Sequence, residues 1–138
     1  MPILKIVAAG VIAGIVANVS GYFITGRLFH AYQARTPGTW RRGESWAHYI
    51  NAAAVRIAGC VGIGFLYAAV AAALPAFADA AILRGVAFGS VLWVVTMAPL
   101  VIEASLFVNW HPGFVVGLLL DWLVVSILAS VAGAVAVG

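Results

Sequence analysis

Four stretches of this chain stay apolar long enough to cross a bilayer, and no other feature restricts its possible folds so sharply. A helix rises 1.5 Å per residue, so ~20 apolar residues span the ~30 Å hydrocarbon core. The windows run from Ile3 to about Thr25, from about Tyr49 to Leu74, from about Ala81 to Val108, and from Gly113 to about residue 136. None alternates apolar and polar residues with period two, as the strands of a membrane barrel would, so each reads as a helix. With 65% hydrophobic and 8% charged residues, the chain also lies far outside soluble globular proteins. The expected fold is all-α: a four-transmembrane-helix bundle in one membrane domain covering residues 1–138, with one interfacial cytoplasmic loop at 26–48. The first window is too long for a signal-peptide core and carries its basic cluster after that core, so it is expected to persist as a helix.

Two connections are short: one begins at Leu74-Pro75 and runs to Asp79, the other is Trp110-His111-Pro112-Gly113. The 26–48 loop is different. It gathers Arg27, Arg35, Arg41 and Arg42 around Thr36-Pro37-Gly38, interleaved with Phe29, Tyr32, Trp40 and Trp46. Aromatic rings favour the headgroup level and arginines reach lipid phosphates, so the loop is expected to lie along the membrane surface as two short pieces. A pI near 9.5 invites a nucleic-acid reading, but a lipid interface selects the same residues, and no nucleic-acid partner is expected. The basic residues place this loop in the cytoplasm and both termini outside, with His30, His48 and His111 on the loop's side.

Three pairs of glycines four apart, Gly10/Gly14, Gly85/Gly89 and Gly113/Gly117, each put two glycines on one helix face, where backbones approach closely. Spacing leaves open whether they pack within a subunit or between subunits. The first and third windows both contain Gly-Val-x-x-Gly, at Gly10 and Gly85, and both reach a charge at similar remove, which hints at duplicated hairpins. Cys60 stands alone, so it forms no intrachain disulfide and is expected to pack as a small apolar side chain.

The chemistry rests on charges in or beside the windows: Arg27, Arg56, Glu103 and Asp121. A charge facing hydrocarbon costs at least ~2.5 kcal/mol, so such residues usually turn inward or line a polar path. If the turn near His111 is the midpoint of an antiparallel hairpin, Glu103 and Asp121 share a depth, ~12 Å from the turn. Arg56 and Arg27 approach that depth from the same side. The four can neutralise one another and staple the helices together, or a carboxylate among them, Asp121 first, can bind or couple to a proton or cation. Asn18, with Ser20 and Tyr22, can hydrogen-bond from the first helix. His30, His48 and His111, beside Glu44 and Glu103, are weak metal candidates, since no metal-ligand spacing joins them. No cofactor is expected, and no nucleophile has a legible base beside it.

The run Gly21-Tyr22-Phe23 through Arg27-Leu28-Phe29, with Phe107-Val108-Asn109-Trp110 and Leu120-Asp121-Trp122, resembles small bacterial four-helix membrane proteins of unknown function. The resemblance implies a bacterial inner membrane and assigns no activity. Three functional readings follow. One is an oligomeric transporter or channel with its site at Asp121, Glu103, Arg56, Arg27 and Asn18. The alternative is a non-catalytic accessory or assembly subunit of a larger membrane complex. The third is an interfacial lipid- or quinone-active enzyme using the histidines. The expected partners are the bilayer and either further copies of the chain or other membrane subunits.

Overall fold

The computed structural model describes residues 2–35, 38, 45–73 and 80–138. Trp40, Arg41, Arg42 and Glu44 of the basic loop, Thr36 and Pro37 of its turn, and the 74–79 connection lie outside the described residues.

The first span is helix α1 (Pro2–Phe23), continued by a π-helical turn at Ile24–Leu28. The short helix α2 (His30–Gln33) follows. Helix α3 (Trp46–Val70), with a 3-10 turn at Ala71–Ala73, forms the second span. The third comprises α4 (Ala81–Leu92), a π-helical turn at Trp93–Met97 and α5 (Ala98–Phe107), and the fourth is α6 (Pro112–Val137). There is no strand among the described residues, and all four spans are long and apolar enough to cross a membrane. The chain is a small, all-α, multi-pass membrane protein.

The span ends differ from the hydropathy windows for local reasons. The first span reaches Leu28 rather than Thr25, because the Phe29 N–H bonds back five residues to Ile24 O at 3.0 Å and widens the last turn. Within that segment the Thr25 hydroxyl donates to Gly21 O at 2.7 Å. The second span starts at Trp46 rather than near Tyr49, because Ser45 is extended (ψ 162°) and forms a capping box with His48. In the third span, Pro99 cannot donate the backbone bond expected of a helix interior, and the π-helical turn just before it absorbs the missing bond.

Helices α1, α3 and α6 pack on one another, and the third span lies chiefly against α6. Helix α6 therefore touches every other span and buries nine residues. On α1 the buried positions beyond Ile6, namely Gly10, Ala13, Gly14, Ala17 and Gly21, recur at helical spacing and are all small, so neighbouring backbones come close. A Cβ on Gly10 would lie 2.6 Å from Val61 Cα, and one on Gly14 would lie 2.7 Å from Ile57 Cα. The second hairpin repeats the register: Gly85 sits on Val131 and Gly89 on Ile127. Both pairs pack within the subunit. Ser126 and Ser130 lie at the Gly85/Gly89 contact, fully buried, their hydroxyls without a partner among the described residues. Gly113 and Gly117 serve a different purpose, described below. Cys60 is fully buried in the core with Ala13, Ala17, Val125 and Ala129.

Thermal unfolding in a single detergent tests this packing. A Cβ on Gly89 would meet the backbone of α6, with Ser126 O at 2.6 Å, whereas one on Gly62 would meet nothing within 4 Å. Gly89→Ala is expected to lose about 1–3 kcal/mol by overpacking. Gly62→Ala is expected to be neutral or to gain up to about 1 kcal/mol from reduced backbone freedom. Equal losses at the two positions would contradict the close contact between α4 and α6.

Candidate functional site

The inward stripe of α6 runs through Phe114, Gly117, Asp121 and Val125, at steps of three or four residues. On α3 the stripe through Cys60, Gly64 and Tyr67 extends back by one turn to Arg56. Arg56 lies ten residues from the start of its span and Asp121 nine from the start of its own, so both sit about 14 Å in from the same end. The two stripes face each other, and the charges meet.

The Arg56 guanidinium binds both oxygens of Asp121, Nη1 to Oδ1 at 3.1 Å and Nη2 to Oδ2 at 2.6 Å. This planar fork is the strongest geometry open to a carboxylate and an arginine. Nη1 also donates to Ala17 O on α1 at 3.0 Å, and the guanidinium lies over the Trp122 ring at 5.7 Å. One cation thus ties three helices together. The Asp121 side chain is 1% exposed and that of Arg56 19%, so the anion depends wholly on its partner. Gly21, one turn after Ala17, makes the arrangement possible: a Cβ there would collide with Arg56 Nη1 and lie 3.1 Å from Asp121 Oδ1. Asn18 reinforces the same joint, its Nδ2 donating to Gly14 O at 2.9 Å and to Ala53 O on α3 at 3.3 Å. Ser20 turns back to Ala17 O at 3.0 Å, and Tyr22 is exposed.

Glu103 and Arg27 do not join the pair. Arg56–Asp121 is the sole ion pair among the described residues. Glu103 matches Asp121 in neither depth nor face: Gly85 meets Val131 and Gly89 meets Ile127, a register that sets Glu103 level with the first turn of α6. The buried residue of α5 is Val101, and Glu103, two positions on, points about 200° around the helix and is exposed. Arg27 lies exposed in the π-helical turn that ends the first span. The expected four-charge cluster is a two-charge one.

A second assembly forms where α6 begins. The segment after the first span folds back, seating Phe29 on Gly117 and Tyr32 on Gly113, where added Cβ atoms would meet the rings at 2.6 and 2.7 Å. The third glycine pair therefore receives aromatic rings rather than a helix. Tyr32 stacks on His111 at 4.8 Å between centroids, and the Arg35 guanidinium lies over Tyr32 at 5.4 Å. His111 caps α6, its Nδ1 accepting the Gly113 N–H at 3.0 Å. His48 Nδ1 accepts the Ser45 N–H at 3.2 Å, and His30 is exposed at the start of α2. The three histidines are not brought together, and no group of three metal-ligating side chains occurs among the described residues.

Between spans three and four lies an apolar groove of about 300 Å³, lined by Leu100, Val101, Ala104, Trp110, Phe114, Leu118 and Trp122. Trp122 thus has the groove on one side and the Arg56 guanidinium on another. Trp93 fixes the spans beside it through Nε1 to Leu119 O at 2.9 Å. Gly21 and the histidine caps were missed in the residue pattern. The small-residue stripe through Gly14, Ala17 and Gly21 is the signal that points to Gly21.

Gly21→Ala is expected to push the guanidinium off Asp121 and so to cost about 3–5 kcal/mol, as breaking a buried ion pair does. Gly26→Ala, whose Cβ would approach nothing closer than 3.4 Å, is the control. Equal thermal unfolding of the two variants in detergent would contradict the geometry. The chain matches no protein-family model, no curated protein and no solved structure, so its function is to be read from this geometry.

Proposed function

We propose that this protein is a non-catalytic subunit of a bacterial inner-membrane complex. In this reading it holds a transmembrane helix of a partner protein against the outer face of its third span, with the 26–48 loop cytoplasmic and both termini outside. The observation that supports it is the exposed carboxylate of Glu103 on the third span, set against the Asp121 carboxylate that the chain neutralises itself. Both oxygens of Asp121 are taken by Arg56, and the glycine faces of α1 and α4 are filled by the chain's own α3 and α6. The third span meets the bundle chiefly along α6 and presents Val91, Val94, Val95, Leu100, Ile102 and Leu106 outward, together with the carboxylate of Glu103. Glu103 makes no ion pair among the described residues. Glu103 lies about 6 Å in from the end of its span, where a basic or hydroxyl side chain on a neighbouring helix would offset the cost of taking its carboxylate out of water.

A transporter or channel is the second reading, favoured by the accessibility of Arg56, at 19% against 1% for Asp121. A proton or cation that displaced Arg56 from the carboxylate would arrive from that side. The enzyme reading drew on the histidines, which lie apart.

Native mass spectrometry of the complex extracted from native membranes in mild detergent, with every chain identified, separates the two. A stoichiometric second chain is expected, retained in Arg27→Gln and reduced about tenfold or more in Glu103→Gln, equivalent to at least ~1.4 kcal/mol of contact. A homogeneous assembly of this chain alone would overturn the accessory reading. Loss of ion flux in folded Asp121→Asn would then support transport.

A further inference from the structure

We infer that His111 is a proton-sensitive latch between the 29–35 segment and the start of α6, closed while its ring is neutral and released when the ring is protonated. This is independent of whether the protein binds a partner or moves an ion.

Helix α6 begins with Pro112, which has no N–H, so the Gly113 N–H is the first donor at that end. No serine, threonine, aspartate or asparagine stands at the cap. His111 does, in extended conformation (φ −64°, ψ 133°), and its Nδ1 accepts the Gly113 N–H at 3.0 Å. An imidazole nitrogen accepts only while it keeps its lone pair, so this bond requires the neutral ring with its proton on Nε2. Protonating Nδ1 sets a donor against a donor and places a cation at the positive end of the helix dipole.

Among the described residues no carboxylate pairs with that cation. From the 29–35 segment the ring faces Tyr32, stacked at 4.8 Å, and behind it Arg35, whose guanidinium already occupies the Tyr32 ring at 5.4 Å. An imidazolium would thus compete with Arg35 for the same aromatic ring. Along α6 the first ionisable group is Asp121, about 15 Å away and bound to Arg56. On α5 the ionisable group is Glu103, exposed and unpaired with His111 among the described residues.

The ring is also a wall of the Tyr32 seat. Tyr32 rests on Gly113, the residue whose N–H the cap binds, and Phe29 rests one turn further on Gly117. Loss of the cap therefore loosens both the first turn of α6 and the segment docked on it. The released state carries one more proton than the docked state, so release is favoured as pH falls. Histidine is the side chain whose charge ordinarily changes between about pH 8 and pH 5.

Hydrogen exchange on the full chain in lipid nanodiscs, at about pH 7.5 and about pH 5.5 with intrinsic rates corrected for pH, tests the latch. In the wild type, protection of peptides covering 29–35 and 113–117 is expected to fall about tenfold or more at the lower pH, while the 121–130 core stays unchanged. His111→Asn keeps a cap that does not titrate and is expected to hold equal protection at both pH values. His111→Ser is a second non-titrating cap, should asparagine disturb the fold. His30 and His48 remain in both variants, so a difference from the wild type belongs to His111. Equal wild-type protection at the two pH values, or the same acid loss in the capped variants, would overturn the inference.

Discussion

An arginine and an aspartate at one depth of a membrane bundle have no water to solvate them if they part, and much of this fold follows from keeping them together. The pair sets the register of α3 against α6, since Arg56 and Asp121 must meet edge to edge. It recruits α1 through the Ala17 carbonyl, and it requires Gly21, because any larger residue there would occupy the space of the guanidinium. Trp122 closes another side. Because the helices on all sides supply these contacts, the pair neutralises its own charges and leaves Asp121 out of reach of solvent.

The same pair accounts for the asymmetry of two otherwise similar hairpins. Each packs a glycine pair of its first helix onto a valine and an isoleucine four residues apart on its second, Val61 and Ile57 in one, Val131 and Ile127 in the other. Yet α1 touches both α3 and α6, whereas the third span relies chiefly on α6. The polar joints explain the difference. Ala17 O and Asn18 bind α1 to α3 beside the ion pair, while the corresponding reach from the third span is Trp93 Nε1 to Leu119 O, again on α6. The less embraced span is also the one that carries the exposed carboxylate of Glu103.

The number and class of the helices were legible because run length and apolarity alone determine them. Their ends were not, since the Ser45/His48 capping box and the π-helical turn at Ile24–Leu28 are hydrogen-bond geometries that hydropathy does not report. Depth counting put Glu103 level with Arg56 and Asp121, but the contacts of Gly85 with Val131 and of Gly89 with Ile127 set Glu103 at the first turn of α6 instead, and Val101 rather than Glu103 faces inward on α5. The three glycine pairs look alike as text. Two receive helix backbones and the third receives Tyr32 and Phe29, because what fills a glycine face is decided by the element opposite. The histidines likewise were placed on one side by position, whereas the use of Nδ1 as a cap by His48 and His111 depends on backbone conformation at Ser45 and His111.

The most direct test of this account is the coupling free energy between Arg56 and Asp121 from a double-mutant cycle, measured as reversible unfolding in detergent. If the pair is a structural staple, Arg56→Met and Asp121→Leu each lose about 3–5 kcal/mol, because each strands a buried charge. The double variant, with neither charge left, returns to within about 1 kcal/mol of the wild type. Single variants as stable as the wild type, or losses that simply add in the double, would mean that the pair does not hold the bundle together.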